Sequence, residues 1–250
     1  MASPDMTLEP MVRRIALRVS LSVADRQALL SLPYSVKSLE PASYLIREGD
    51  PPRHCSMLIS GFAYRQKTIG EGARQIVALH IPGDMLDLQN LHLNVSDHNV
   101  QVLTRAAIAL ISRADLQQLA VARPSVANAL FVDTLVEASI FREWVVNVGR
   151  RDSRARLAHL LCEFAVRLEA VGLAEANGYE LPMTQEQLAD AVGLTPVHVN
   201  RTLKSLEAEG LIRRAKRNLT IPDWQKLRAV ADFNDRYLHL HQREGGSAVL

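Results

Sequence analysis

The sequence has few cysteines, no long apolar run and little excess charge of either sign. Its two cysteines, Cys55 and Cys162, do not make a disulfide framework. The longest apolar run, from 106 to 111, is far too short to cross a bilayer. The opening segment MASPDMTLEP has acidic residues and no apolar stretch, so it does not resemble a signal peptide. These absences predict a cytoplasmic protein with no membrane partner.

The charge balance excludes a uniformly basic nucleic-acid-binding protein. Over 250 residues, 29 Lys and Arg face 27 Asp and Glu, so the net charge is +2. Any affinity for nucleic acid must therefore come from a local cluster. Such a cluster lies between Arg201 and Arg217, where Glu207 and Glu209 are the only acidic residues. We expect this stretch to be the part of the chain that meets phosphate groups.

The stretch 183–217 is typical of two short helices joined by a tight turn. Thr184 and Gln187 have the spacing of a capping box at the start of the first helix. Gly193 is suited to end that helix with a positive φ, and Thr195 followed by proline starts a second one. The second helix carries apolar residues on one side: Val199, Leu203 and Leu206. A helix-turn-helix needs this arrangement, because its second helix is held by its apolar face while the other face enters the major groove.

A basic hairpin follows the two helices. Leu211–Arg214 and Leu219–Ile221 have the composition of short strands, and Lys216–Asn218 is the turn between them. The alternative is an ordinary antiparallel helix pair, but the positive hairpin favours DNA binding. We expect Thr195 and the hairpin to meet phosphates and the second helix to meet bases. The predicted DNA-binding residues are Thr184, Thr195, Val197, His198, Asn200, Arg201, Lys204, Arg213, Arg214, Lys216 and Arg217.

The first half of the chain predicts a helix followed by an all-β unit. Val12–Leu32 has helical character, with Ser22 as a candidate N-cap and Pro33 as its end. From Tyr34 the pattern changes to short runs separated by glycine-containing turns. The candidate strands are Ser43–Arg47, Ser56–Ser60, Phe62–Lys67, Arg74–His80, Val100–Thr104 and Ala107–Ile111.

A long helix is predicted from Pro124 to about Gly149. It would be roughly 35–40 Å long and carries a broad apolar band. That band exceeds what one small β domain can cover, so we expect pairing with a second copy of the chain. The alternative is a helix that lies wholly within the core of one subunit. Residues 149–152 then break the pattern, and Asp152 or Ser153 can cap a further helix to about Val171.

In this order, the parts resemble the Crp/Fnr family of bacterial transcription regulators. The landmarks are Glu48-Gly49-Asp50, Ile59-Ser60-Gly61, Pro82-Gly83-Asp84, Asp152 at the break, and LTPVHVNRTLKSLEAEGLI from 194 to 212. The resemblance implies an α+β fold: a β-roll sensor-like domain over 1–123, a dimerisation helix and hinge over 124–151, a winged helix-turn-helix over 152–224, and a C-terminal helix with a disordered tail over 225–250. It further implies a homodimer through 124–149 that binds palindromic double-stranded DNA and acts on RNA polymerase. Arg201 matches a family arginine that reads guanine.

The effector pocket departs from the pattern of the members that bind cyclic AMP. Those members carry a Gly-Glu-Leu segment that holds the phosphate and ribose, and a later Arg-Ser pair that neutralises the phosphate. Here Asp87 and Leu88 stand where the Gly and Glu would be, and His98 and Asn99 lie where the pair would fall. The pocket is therefore degenerate and electrostatically wrong for an anion, so we expect no cyclic AMP binding. Its residues are Asp87, Leu88, Gln89, His98 and Asn99.

Other cofactors are also not expected. An iron–sulfur cluster with four cysteine ligands cannot be built from two cysteines in one chain. Haem would need an axial histidine, and His80, His92 and His98 are more typical of structural or solvated side chains. Cys55 follows Arg53-His54, a setting that can lower a thiol pKa and make it redox-responsive, although a strand cysteine more often packs as a small hydrophobic residue. We predict no metal site.

Three functions remain open from the sequence. The chain is a regulator whose roll senses a ligand other than cyclic AMP or a redox signal, or a regulator that binds DNA without an effector. The third is an enzyme with Cys55 and His54 as a thiol catalyst. Adjacent strand residues point to opposite faces, so that pair cannot act together and the enzyme hypothesis is disfavoured. Because the pocket lacks the residues that bind a phosphate, the sequence favours the regulator that binds DNA without an effector.

Overall fold

A computed structural model describes residues 7–174 and 178–240, and these form two compact units. The first unit contains Leu79–Ala138 and the described parts of Met1–Gln66 and His239–Leu250. The second contains Lys67–Ala78 and Ser139–Leu238. The division falls within the long helix and does not coincide with the break at 149–152.

Two antiparallel sheets form the roll, as expected from the sequence, and their strands belong to the first unit except for residues 67–78, which belong to the second. The strands are β1 Tyr34–Leu39, β2 Tyr44–Ile46, β3 His54–Ser60, β4 Ala63–Thr68, β5 Arg74–His80, β6 Asn99–Val102 and β7 Ala106–Ser112. One sheet has the order β1-β7-β3 and the other β2-β6-β4-β5. The helices of this part are α1 Glu9–Ala16, α2 Val23–Leu30, α3 Arg113–Ala122 and α4 Pro124–Arg150, with a 3-10 turn at Leu88–Leu91.

Two apolar clusters hold the first unit together. In the larger one, the helices at both ends of the roll pack on the β1-β7-β3 sheet, through residues such as Met11, Met57 and Leu116. In the smaller one, Leu58 and Ile108 meet Val100 of the other sheet. Strands β3 and β7 are almost entirely buried, and their successive side chains alternate between the two clusters, because neighbouring residues of a strand point to opposite faces of the sheet.

The strands predicted from the sequence are confirmed to within two residues, but three other features are not as predicted. Val12–Leu32 is two helices, because Ser22 accepts a hydrogen bond from the Asp25 N–H and so begins a new helix at Val23. Strand β1 was missed because it is an edge strand with mostly exposed residues. Helix α3 was also missed, although Ser112 caps it.

The long helix α4 is confirmed with almost the predicted bounds. Its first half is fixed to the first unit partly by charge, since Arg14 and Arg18 both donate to the buried Asp133 carboxylate. Farther along, Glu137 pairs with Arg65 of β4. A buried ion pair specifies geometry more than it adds stability, so these pairs fix the rotation of α4 on the roll.

The second unit contains the helix-turn-helix. Its elements are α5 Ser153–Ala170, β8 Gly178–Glu180, α6 Gln185–Val192, α7 Pro196–Ala208, β9 Arg213–Ala215, β10 Asn218–Thr220, α8 Trp224–Val230 and a 3-10 turn at Asp235–Leu238. The small sheet has the order β8-β10-β9. The tail helix expected from Trp224 to Gln242 ends at Val230, because Asp232 adopts a φ of 47°. The rest of the expected tail, from 241 onward, lies outside the described residues.

Over the described ranges, no single helix is long and apolar enough to span a bilayer. Helices α3 and α4 meet the length and composition criteria only as a pair, and that pair is bent by 119°.

Candidate nucleic-acid interface

Helix α6 and the turn after it are built by the local signals in the sequence. The Thr184 hydroxyl accepts a hydrogen bond from the Gln187 N–H at 3.2 Å, and the Gln187 side chain accepts one from the Thr184 N–H at 2.8 Å. This reciprocal capping box satisfies two helix-end donors. Gly193 ends α6 at φ 64°, in the left-handed region that glycine enters without strain. The predicted first helix and turn are confirmed.

Helix α7 begins as predicted and is held by its apolar side. The Thr195 hydroxyl accepts from the His198 N–H at 3.2 Å, and Pro196 occupies the first helical position. Val199, Leu203 and Leu206 are fully buried against the rest of the second unit. With one side fixed in this way, the opposite side of α7 is left for other contacts.

The opposite side of α7 is exposed and basic. Val197, Arg201 and Lys204 are exposed, and their spacing of four and three residues places them on one helix face. Val197 is 81 % exposed, which is unusual for a valine on a helix that packs so well on its other side. Within the described chain, no salt bridge engages Arg201 or Lys204, so both cations are available to a partner.

Two of the predicted base-contacting residues lie differently. His198 is half-buried and its Nε2 lies 2.9 Å from the Ser153 hydroxyl, so its side chain joins the start of α7 to the start of α5. Asn200 is half-buried. The sequence could not reveal the His198–Ser153 contact, because the two residues are 45 positions apart and neither has a motif that points to the other.

A second residue that the sequence did not indicate supports the turn. Arg156 of α5 donates to the Val192 carbonyl at 2.9 Å and to the Gly193 carbonyl at 3.4 Å. These carbonyls are at the end of α6 and lack partners within that helix. Arg156 is therefore a positioning residue, since it fixes the turn that sets the direction of α7.

The basic hairpin is confirmed as β9 and β10, with Lys216 at its tip in the left-handed region at φ 57°. The sequence missed the third strand, β8, which pairs with β10 and contains only three residues. Two of the hairpin cations are already engaged: Arg214 pairs with Glu207 at 2.6 Å and Arg217 lies 3.7 Å from Glu180.

The two remaining hairpin cations, Arg213 and Lys216, are exposed and take part in no salt bridge of the described chain. With Arg201 and Lys204 they form the set that we call the free cations. Two of the four lie on the exposed face of α7 and two lie on the hairpin. A phosphate backbone flanking a major groove is the type of partner that such a face fits.

The predicted effector pocket holds a buried acid. Asp87 is fully buried, and its carboxylate accepts hydrogen bonds from the Ser56 N–H and, at 3.0 Å, from the Ser56 hydroxyl. Burial raises the pKa of Asp87 to about 7, although the hydrogen bonds from Ser56 act in the opposite direction. Close to neutral pH, this carboxyl is partly ionised.

His98 does not supply the positive charge that an anionic ligand would need. Its ring is buried, with Nδ1 2.7 Å from the Asp97 carboxylate and Nε2 3.3 Å from the Gln89 amide. Burial lowers the pKa of His98 to about 4, and the nearby positive charge of Arg65 lowers it further. The ring is therefore neutral at pH 7. Asn99 is turned elsewhere and accepts from the Glu48 N–H at 3.1 Å.

The hypothesis of a reactive Cys55 with a lowered pKa is wrong. The thiol is completely buried on β3, and burial raises its pKa to about 12, with a further contribution from the Asp87 charge. Arg53 and His54 are exposed at the start of the strand and do not offset this. Cys55 packs as a small hydrophobic residue.

Two sequence families match the chain. The cyclic nucleotide-binding domain matches residues 36–123, and the Crp-like helix-turn-helix domain matches residues 155–230. The first match covers the sheets of the roll and the second covers α5 to α8. The fold expected from the sequence is thereby confirmed.

Relatives that match most of the chain are transcription regulators. The transcriptional activator protein FnrL of Cereibacter sphaeroides is 30% identical over 195 residues, which cover 76% of this chain and 78% of that protein. The transcriptional activator protein anr of Pseudomonas aeruginosa is 23% identical over 227 residues, or 91% of each chain. The solved structure of FixK2 from Bradyrhizobium japonicum superposes with a TM-score of 0.74 at 25% identity and covers 80% of this chain and 98% of that one. The exposed basic helix, the hairpin and these similarities agree: the chain belongs to the Crp/Fnr family of DNA-binding transcription regulators.

Proposed function

We propose that this regulator works as a homodimer that reads a palindromic DNA site with two copies of α7, recruits or blocks RNA polymerase, and acts without cyclic AMP. The observation that carries the proposal is the exposed face of α7, where Val197, Arg201 and Lys204 stand free while the opposite face is buried. A two-fold dimer places two such helices on half-sites about one helical turn, roughly 34 Å, apart.

Different parts of the interface have different roles in DNA binding. The free cations Arg213 and Lys216 meet phosphates, as does the exposed Thr195 end of α7, because the N-terminal end of a helix favours negative charge. Arg201 reads a base, since a guanidinium can contact guanine O6 and N7 together. Arg214 and Arg217 act through the ion pairs that shape the hairpin.

The exposed apolar residues of α4 support the dimer. Phe131 and Leu135 are exposed in the first half of the helix, and Phe141 and Val145 in the second half. Exposed apolar side chains recurring along one long helix are costly in water and favour a helix from a second copy. A two-fold seam along α4 buries each of them against its counterpart.

Charge in the roll supports a function without cyclic AMP. The partly ionised Asp87 and the neutral His98 lie where cyclic AMP would need residues that bind and neutralise its phosphate. Arg65, whose charge reaches both, already donates to the Glu137 carboxylate and, at 2.8 Å, to the Leu86 carbonyl. A cyclic phosphate entering here would displace a paired cation and meet a carboxyl.

The test begins with selection of duplexes from a random pool by the full chain, without added nucleotide. We expect a two-fold-related sequence to be enriched, and its affinity to be unchanged by cyclic AMP. On that sequence, Arg201→Ala should weaken the free energy of DNA binding by about 1–3 kcal/mol and abolish the preference for one base, because a bidentate contact is lost. Lys216→Ala should weaken binding to all duplexes alike. It should also lower the slope of log affinity against log salt concentration by about the contribution of one phosphate contact.

Arg13→Ala is the matched control, since it removes an exposed cation of α1 in the first unit. It should leave both affinity and base preference unchanged. If Arg201→Ala and Lys216→Ala keep the wild-type footprint and affinity, the proposed interface is wrong. If cyclic AMP binds the free protein in equilibrium dialysis and sharpens DNA selectivity, the proposal that the regulator acts without cyclic AMP is wrong.

A further inference from the structure

Val197 is an apolar side chain that neither core packing nor helix propensity accounts for. It is 81 % exposed on α7, whereas Val199 of the same helix is fully buried. Valine is also a weaker helix former than alanine, because its branched Cβ restricts χ1 against the preceding turn. At this position the side chain therefore contributes nothing to the folded protein that an alanine would not also contribute.

Val197 lies at the end of α7 that the proposed function directs into the major groove. The N-terminal residues of a recognition helix are the ones that contact the edges of the base pairs. Val197 is the second residue of α7, and Arg201 follows one turn later on the same exposed face. The two positions are about 6 Å apart along the helix axis, given a rise of about 1.5 Å per residue. That separation corresponds to about two base-pair steps of ~3.4 Å each.

The side chains next to Val197 leave an apolar surface at the start of the helix. The Thr195 hydroxyl accepts a hydrogen bond from the His198 N–H and so caps α7. The Nε2 atom of His198 lies 2.9 Å from the Ser153 hydroxyl. Pro196 is exposed but has neither an N–H group nor a polar side chain with which to read a base. The first turn of α7 therefore offers methyl and methylene groups to a base pair.

Thymine carries the apolar group that the major groove offers to such a surface. Guanine, adenine and cytosine present hydrogen-bond donors and acceptors there, whereas thymine adds a C5-methyl group to its acceptor. Covering a donor or an acceptor with a valine leaves that group without a partner, which is unfavourable. Burying the thymine methyl group against the valine methyl groups is favourable. Because a helical valine is almost fixed in one rotamer, the contact costs little side-chain entropy.

We propose that Val197 reads the C5-methyl group of a thymine that lies within about two base pairs of the guanine contacted by Arg201. This inference rests on the proposed DNA-reading role of α7 and extends it, since it names the base and the chemical group that one residue recognises. The sequence preference of the regulator then depends on a methyl group as well as on hydrogen bonds.

The experiment replaces single thymines by deoxyuridine in the duplex selected from the random pool. This change removes the C5-methyl group and leaves the hydrogen-bonding groups of the base pair in place. The guanine is located first, as the position at which Arg201→Ala loses its base preference. For a thymine within about two base pairs of that guanine, binding of the full chain should weaken about fourfold when one half-site is changed and about 15-fold when both are changed. Fluorescence anisotropy titration measures these affinities.

A second pair of duplexes tests the methyl group in a different base pair. Cytosine at the thymine position should weaken binding, and 5-methylcytosine should recover about fourfold of the affinity, because only the methyl group is restored. If this recovery is absent, the base is read through its hydrogen-bonding groups and the inference is wrong.

Variants assign the effect to one side chain. Val197→Ala should bind the thymine and deoxyuridine duplexes with nearly equal affinity, whereas Arg201→Ala should keep the difference of about fourfold. Val121→Ala is the matched control, because Val121 is 84 % exposed on helix α3 of the first unit. It should show the same ratio as the wild type. All three positions are exposed, so folding does not depend on them.

Three further results overturn the inference. In the first, the half-site has no thymine near the guanine, or none that responds to deoxyuridine, while Arg201→Ala still loses its base preference; the proposed function then stands without a methyl contact. In the second, Val197→Ala shows the same methyl effect as the wild type, so another residue reads the methyl group. In the third, no duplex is enriched from the random pool, which overturns the proposed DNA-reading role together with this inference.

Discussion

A few buried polar side chains fix how the helices of the second unit pack. Glu163 of α5 accepts hydrogen bonds from the Trp144 indole at 3.0 and 3.1 Å and from the Tyr237 hydroxyl at 2.9 Å, and it pairs with Arg167. Burial raises the pKa of Glu163, although these partners and the Arg167 charge oppose the rise. One carboxyl thus connects the end of α4, helix α5 and the 3-10 turn at Asp235–Leu238.

His159, one turn before Glu163, makes stability depend on pH. Its ring is 1 % exposed and packs against Phe233 and Tyr237 at centroid distances of 5.2 and 5.8 Å. Burial lowers the pKa of His159 to about 3, and the charge of Arg151 lowers it further. The Glu143 carboxylate lies 3.3 Å from Nε2 but is also paired with Arg151 at 2.7 Å.

The sign of the pH effect follows from the direction of this shift. The unfolded chain binds a proton at His159 below pH 6.5 and the folded chain does not, so stability is lost as the pH falls from 6.5 towards 3. Between pH 7 and pH 5 the free energy of unfolding should fall by about 2 kcal/mol more in the wild type than in His159→Phe. Urea denaturation of both proteins at the two pH values measures this.

The comparison with His159→Phe removes contributions common to both proteins, including those of Asp87 and His98. His92→Phe is the control, because His92 is an exposed histidine of the first unit. It should keep the pH dependence of the wild type. Equal loss of stability in the wild type and His159→Phe would contradict the assignment.

At the scale of elements, the helix-turn-helix depends on a single backbone conformation at Gly193. A Cβ at this position meets only the end of the Arg156 side chain, at 3.7 Å, so space is not the constraint. The constraint is the positive φ, which costs a residue with a Cβ about 1–2 kcal/mol. Gly193→Ala should therefore lower the free energy of unfolding by about 1 kcal/mol in denaturant titration.

Gly149 provides the matched control for Gly193. It lies within α4 with an ordinary helical φ, and a Cβ there meets nothing within 4 Å. Gly149→Ala should raise stability by about 0.5 kcal/mol, because alanine restricts the unfolded chain and has the higher helix propensity. If both variants shift stability in the same direction, the explanation by backbone conformation fails.

The helices and strands differ in how well the sequence predicted them. Helices α6 and α7 carry their own start and stop signals in Thr184, Gly193 and Thr195, so their bounds were predictable. The edge strands β1 and β8 were missed, because their pairing partners β7 and β10 hold them in place and their own residues show little alternation. Local chemistry determines the first kind of element, and pairing with distant residues determines the second.

At the scale of the whole molecule, the testable quantity is assembly. Phe141→Lys places a charge in the exposed apolar stripe of α4 and should shift the protein from dimer to monomer in sedimentation equilibrium at micromolar concentration. Burying an unpaired charge in a helix seam costs several kcal/mol. A cost of that size raises the dissociation constant of the dimer by about two orders of magnitude or more. Affinity for a two-fold DNA site should fall together with the dimer.

Val121→Lys is the control for assembly. Val121 is 84 % exposed but belongs to α3, outside the proposed seam. This variant should remain a dimer and bind DNA like the wild type. A wild-type protein that is monomeric at all concentrations, or a Phe141→Lys variant that still dimerises, would show that α4 is not the seam.

The sequence by itself determined the family, the order of the domains, the long helix, and the helix pair with its basic hairpin. These features were predictable because helix caps, glycines and the apolar period of a helix are local signals, each contained in a short stretch of consecutive residues. Only the tertiary structure decided which of the predicted DNA-binding side chains are free, since Arg214 and His198 are engaged by Glu207 and Ser153. It alone also decided that Cys55 is buried. The Arg214–Glu207 pair joins residues seven positions apart and the His198–Ser153 contact joins residues 45 positions apart, and both form only when the helices and the hairpin have packed.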